Sequence, residues 1–178
     1  NAKWGFDFIL YNWAVGPMLA DWIIAIPFML GGETSAKLMI FFFILLTCSL
    51  ILKIIKWLDG DVSAQNWAVI IYLCSPLTFA IASTVFIDAI WGIFLLSGIF
   101  YVIKISYSES NNFILPGLLL GFAVAIKAIT FLSLIILLLY ILISYKIFFK
   151  KYNLKPILIG LLIFFFIGFK SYFLSWYL

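Results

Sequence analysis

Residues 67–105 read WAVIIYLCSPLTFAIASTVFIDAIWGIFLLSGIFYVIKI, an apolar run in which Asp88 and Lys104 are the only charges. As a continuous α-helix this run would be roughly 55 Å long, and the hydrocarbon core of a bilayer is about 30 Å thick. It must therefore fold back once. The polar break at Ser83-Thr84, with Asp88 just after it, predicts the hairpin tip. A transmembrane β-barrel is excluded by stretches such as FFFILLTCSLILKII at 41–55, which lack the in–out alternation of barrel strands. In lipid every backbone donor and acceptor must be paired within its own element, so such runs become helices.

The same reading extends in both directions. Upstream, a first clear span runs from about Lys37 to Trp57 and ends at Lys53 and Lys56, with DGDVSAQN at 59–66 as a polar loop. Downstream, 113–145 is again too long for one span, about 50 Å as helix, and its only charge is Lys127 near the middle. Two short helices with Lys127 at their tip are predicted, then a last span from about Pro156 to Tyr172. The N-terminal segment is aromatic-rich, and Trp13 and Trp22 suit a headgroup level. Its apolar stretch Pro17–Leu30, with Asp21 and Pro27, predicts an interfacial, re-entrant or short tilted helix. Gly31-Gly32-Glu33-Thr34 predicts a turn with Thr34 as N-cap. The expectation is an all-α, polytopic transmembrane helical bundle of about six spans plus an N-terminal interfacial or short helix. It forms one domain, residues 1–178, with 1–36 exterior or interfacial and 37–178 spanning. Because the chain begins at Asn1 and stops at SWYL in an apolar segment, it reads as a fragment of a larger membrane domain.

Composition agrees. Of the 178 residues 67% are hydrophobic and 10% charged, against roughly 25% charged in soluble domains, and the mean hydropathy is +1.26. The 11 basic residues are all Lys and the net charge is +4. They are scattered rather than clustered on a soluble face, which speaks against nucleic acid as a partner. Cys48 and Cys74 lie inside apolar runs as small core residues, so neither a disulfide framework nor a metal site is indicated. Cytoplasmic loops carry the excess of Lys. Placing the end of the 37–57 span inside puts Lys53, Lys56, Lys104, Lys146, Lys150, Lys151 and Lys155 in the cytoplasm, and Lys3, Lys37, Lys127 and Lys170 outside. Asp7, Asp88 and Lys127 then share the exterior face, with Asp21 nearby.

Ionisable groups at membrane depth are costly and mark function by default. Asp88 and Trp91 are three residues apart and share a helical face. Asp88 is a catalytic candidate, or else a carboxylate stabilising a helix start. Lys127 suits a phosphate as a point charge, or snorkels to the interface or pairs with Asp88. Asp7 is a candidate general base for an acceptor hydroxyl, and Asp21, in the same exterior segment, a candidate binding residue, with solvated interface charges as the plainer reading of both. Asp59, Asp61 and Glu109 read as loop solvation. Gly117 and Gly121 form a GxxxG pattern that marks close helix packing.

The stretches GPMLADWIIAIPFMLGGETSAKLMIFFFILLTCSLILKII, LCSPLTFAIASTVFIDAIWGIFLLSGIFYVI and LPGLLLGFAVAIKAITFLSLIILLLYILI, in that order, resemble the N-terminal half of C-type (GT-C fold) glycosyltransferases of the protein-mannosyltransferase and lipid A aminoarabinose transferase kind. Pro76, Asp88 and Lys127 occupy the places of the family's Ser-Pro hairpin, Val-Asp-like acid and Thr-Lys segment, although Ile126 stands where the Thr is usual. The resemblance implies transfer of a sugar from a polyprenyl-phosphate donor to a lipid, glycan or protein acceptor. It implies an active site on the exterior face of a bacterial inner membrane, with membrane lipids as surroundings. Asp88, and less directly Asp7, would be catalytic, whereas Lys127, Trp91 and Asp21 would bind substrate or lipid phosphate. A divalent cation assists some relatives and is left open here. The competing readings are a transporter half or membrane scaffold in which Asp88 and Lys127 form a structural ion pair, and an acyltransferase or ligase using another undecaprenyl-linked donor.

Overall fold

The computed structural model describes residues 19–107, 112–143 and 154–177. Lys3, Asp7, Trp13, Pro17, Glu109, Lys146, Lys150 and Lys151 lie outside these residues. Within them the chain is an all-helical membrane bundle of seven helices: α1 (Leu19–Trp57), α2 (Val62–Leu73), α3 (Pro76–Ser83), α4 (Asp88–Tyr107), α5 (Ile114–Ile126), α6 (Thr130–Ile143) and α7 (Leu154–Tyr177). By length and composition α1 and α4 can each cross a membrane, and α2 with α3 make a third span if the pair counts as one.

The breaks follow from the sequence. α1 leaves helical geometry at Gly31 (φ −150°, ψ 21°) and Gly32 (φ 66°, ψ −156°), a left-handed φ that glycine adopts without Cβ strain. The predicted turn therefore divides α1 into two halves, with the Glu33–Lys37 ion pair (2.7 Å) opening the second. The predicted loop at 59–66 is shorter than expected, because α2 already begins at Val62. Asp61 is its N-cap, and its carboxylate accepts from the Ala64 N–H at 2.7 Å. Asp61→Ala is expected to destabilise the protein by about 1 kcal/mol, read as a lowered melting temperature in detergent with Asp61→Asn close to wild type.

The run 67–105 does turn back at 84–87, as expected, but it has a second break at Cys74-Ser75, where α2 and α3 bend by 58°. Pro76 at the start of α3 is the cause, since proline suits the first turn of a helix and disfavours the helical conformation in the residue before it. The run 113–145 divides as predicted, with Lys127 at the break between α5 and α6.

Side-chain contacts fix the directions of the helices. Trp57 at the end of α1 packs edge-on against Phe100 and Tyr107 near the end of α4, at 5.7 and 5.8 Å. Ser106 pairs with Tyr140 of α6 at 3.1 Å, and Phe131 packs on Phe169 of α7 at 5.5 Å. The second half of α1, α4 and α6 thus point one way, and α5 and α7 the other. Lys53, Lys56, Lys104 and Lys155 gather at one end of the bundle. Lys37, Asp88, Lys127 and Lys170 gather at the opposite end.

Two apolar clusters hold the bundle. One joins Ala20, Ile24, Ala36, Ile40 and Ile44 of α1 to Ala89, Ile90 and Ile126 beneath the Asp88 end. The other joins Val102, Ile105, Phe113, Leu120, Val124, Leu137 and Phe164. α5 and α7 make the most extensive helix pair, and Gly117 and Gly121 lie directly against Gly160 and Gly168. The GxxxG pattern therefore serves close packing. Leu38, Phe42, Ile71, Phe79, Ile136 and Phe166 project outward, a surface that lipid solvates and water would not.

Candidate functional site

α5, of 13 residues, rises about 20 Å against about 30 Å for α4. Trp91, one turn into α4, bonds Thr130 at the start of α6. The tip of the α5–α6 hairpin therefore sits about a turn below the start of α4, and irregular backbone at membrane depth is tolerated only where protein or a cavity covers it. Lys127 has an extended conformation there (φ −144°, ψ 128°). Its N–H donates to Ala123 O at 3.0 Å, and its carbonyl accepts from the Thr130 N–H at 3.1 Å. Among the described residues no buried side-chain nitrogen or oxygen lacks a partner.

The stem of Lys127 carries its ammonium back to Asp88, which closes an ion pair at 2.6 Å. Both side chains are partly open, 29% exposed for Lys127 and 36% for Asp88. The ammonium also stands 5.5 Å from the centre of the Trp91 ring, within the range of a cation–π contact. The Trp91 Nε1–H donates to Thr130 Oγ1 at 2.8 Å. Lys127 is thus brought to Asp88, 39 positions away along the chain, and to Trp91 beside it. Asp21 lies exposed in the first turn of α1, and among the described residues Asp88 and Lys127 bond each other rather than Asp21. Asp7 lies outside the described residues.

Beside the pair opens a cleft of about 460 Å³ between α1, the bent α2–α3 pair and α4, with Asp88, Trp91 and Gly92 on its wall. Its polar lining comes from Thr47, Tyr72 and Thr78, with both threonines buried and the Tyr72 hydroxyl close to each. A carboxylate, an indole and hydroxyls line the cleft, and the Lys127 ammonium is bonded to that carboxylate, a set that can hold a polyhydroxylated group with an anion next to it. Sequence reasoning missed Thr130, Tyr72, Thr47 and Thr78. Isolated hydroxyls are common in apolar helices, so only their convergence in space marks them. No group of three His, Cys, Asp or Glu side chains among the described residues is placed to hold a metal ion, and no described residue is assigned as a ligand.

No curated protein and no solved structure matches the chain. A family model, dolichyl-phosphate-mannose-protein mannosyltransferase, matches residues 15–172. That match spans nearly the whole sequence, including α1 to α6, most of α7 and the Asp88–Lys127 pair. The chain belongs to the dolichyl-phosphate-mannose-protein mannosyltransferase family, membrane glycosyltransferases that draw on lipid-linked sugar.

Proposed function

We propose that the chain is a transmembrane domain, or part of a larger one, of an enzyme that passes a sugar from a polyprenyl-phosphate donor to a lipid, glycan or protein acceptor. The reaction takes place at the exterior face of a bacterial inner membrane, with residues 1–36 forming an exterior or interfacial segment and 37–178 the spans. The positive-inside rule supports that orientation, because Lys53, Lys56, Lys104 and Lys155 share the end opposite Asp88. The observation that carries the reading is the meeting of Asp88 and Lys127 beside a hydroxyl-lined cleft, in a chain of this family.

In this reading Lys127 binds the donor phosphate. Its ammonium has three N–H donors, so a phosphate oxygen can be gripped while or after Asp88 is released. The acceptor hydroxyl attacks the anomeric carbon, Asp88 takes its proton, and the bond from that carbon to the phosphate oxygen breaks. Polyprenyl phosphate leaves with the bonding electrons, and the added charge falls beside Lys127. Trp91 flanks the ammonium, with Asp21 as a further binding residue and Asp7 as a second candidate base.

Asp88→Asn keeps the shape of the side chain and removes the base. Transfer of radiolabelled sugar from polyprenyl-phosphate donors, measured in membranes from cells producing the protein, is expected to fall about 100-fold or more. The 2.6 Å closure of the ion pair favours a second reading, a structural pair in a transporter half or scaffold. Wild-type transfer by Asp88→Asn at equal protein level would make the pair a structural one, and no transfer by the wild type from any donor would select the transporter or scaffold.

A further inference from the structure

Thr130 is completely buried, and its hydroxyl joins two helix ends and a third helix at one atom. Thr47, Ser49 and Ser97 each return a bond to the carbonyl four residues earlier in their own helix, a common and locally neutral arrangement. Thr130 Oγ1 instead reaches across the α5–α6 break, to Ala123 O at 2.9 Å and to Lys127 O at 2.6 Å. It also accepts the Trp91 indole N–H from α4 at 2.8 Å. A hydroxyl has one proton and two lone pairs, so it donates to one of the two carbonyls at a time while accepting from the indole. One oxygen atom thereby ties the last turn of α5, the extended Lys127 and the ring that faces the Lys127 ammonium.

We propose that Thr130 is a positioning residue: its hydroxyl holds the Trp91 ring and the Lys127 backbone in the one arrangement that places the ammonium for the donor phosphate. The proposal rests on the reading of Lys127 as the phosphate-binding cation. Without the hydroxyl the indole N–H is left unpaired inside the bundle, a cost the ring relieves by turning toward another acceptor and away from the ammonium. The Lys127 and Ala123 carbonyls lose a donor at the same time. Because the donor phosphate is already charged when it binds, and the ammonium is displaced rather than removed, the loss falls first on donor KM and less on kcat.

The test compares Thr130→Val, which keeps the shape and removes the hydroxyl, with Thr130→Ser, which keeps the hydroxyl, in membranes containing the protein. Donor KM and kcat are measured for a polyprenyl-phosphate-linked sugar, normalised to protein level. Thr130→Val is expected to raise donor KM about tenfold with kcat within about threefold, and Thr130→Ser to stay within about threefold of wild type in both. Trp91→Phe, which keeps the Thr130 backbone bonds, is expected to raise KM comparably, and adding Thr130→Val to it to change KM little further. If Thr130→Val does not accumulate, the Trp91→Phe and Thr130→Ser measurements decide the matter. A normal donor KM in Trp91→Phe, or a Thr130→Ser enzyme as impaired as Trp91→Phe, overturns the proposal. Lys127→Ala separates the two levels of inference. Inactive Lys127→Ala with a normal KM in Thr130→Val sinks the role of Thr130 alone, whereas active Lys127→Ala sinks the phosphate site and this role with it.

Discussion

Lys127→Ala is expected to reduce sugar transfer by about 100- to 1000-fold, the loss that follows when a preorganised donor is removed from the site of developing charge. The ammonium is fixed from three sides: by Asp88 at 2.6 Å, by the Trp91 ring at 5.5 Å, and through its backbone by the Thr130 hydroxyl at 2.6 Å. Lys37, at the same end of the bundle, is engaged by Glu33 at 2.7 Å. Removing Lys127 also strands the Asp88 carboxylate. For a fully buried pair that would cost about 3–5 kcal/mol, and exposure of roughly a third of each side chain brings the expectation nearer 1–2 kcal/mol. The two effects are separable. Lys127→Ala combined with Asp88→Asn carries no orphan charge, so its melting temperature in detergent is expected to recover most of the loss while transfer stays absent. Recovery of transfer in the double variant would make the pair a structural one and remove both residues from the chemistry.

The sequence made the hairpin tips legible where a charge interrupts an apolar run, since an uncompensated Asp or Lys has few places to sit other than a turn, a surface or a partner. That reasoning located the breaks near Asp88 and at Lys127, and the counting of lysines grouped the described ones at the two ends of the bundle as the contacts do. It failed at Cys74-Ser75, where the chain bends by 58° with no charge present. There the signal was Pro76 alone, and Pro within apolar helices is too common in membranes to force a break. The start of α2 was misplaced for a related reason. VSAQN is polar and resembles a loop, whereas the Asp61 cap allows it to be the first turns of a helix. In the candidate site the charged members were legible and the hydroxyls were not. An Asp at membrane depth needs an explanation, but Thr130 acquires its significance only from an indole 39 positions away.

The largest effect on stability is expected at Gly117, a position with no part in the chemistry. A Cβ built there would collide with the backbone carbonyl oxygen of Gly160 and lie 2.9 Å from its carbonyl carbon and 3.0 Å from its Cα. These are main-chain atoms of α7, which have no rotamer to change, so Gly117→Ala must push apart α5 and α7. Without water in the hydrocarbon layer, helix association there depends on van der Waals contact across small residues, and separation forfeits it along the whole pair. Destabilisation of about 3 kcal/mol is expected for Gly117→Ala and more for Gly117→Val, at the upper end of overpacking costs. Gly92→Ala supplies the contrast. Nothing lies within 4 Å of a Cβ at Gly92, so the substitution is expected to be neutral, or to stabilise α4 by up to about 1 kcal/mol through helix propensity alone. Thermal unfolding of the three variants in one detergent compares them directly. Gly117→Ala melting level with Gly92→Ala would mean that α5 and α7 are not in backbone contact, and with that the support beneath Lys127, which begins where α5 ends, would lose its physical basis.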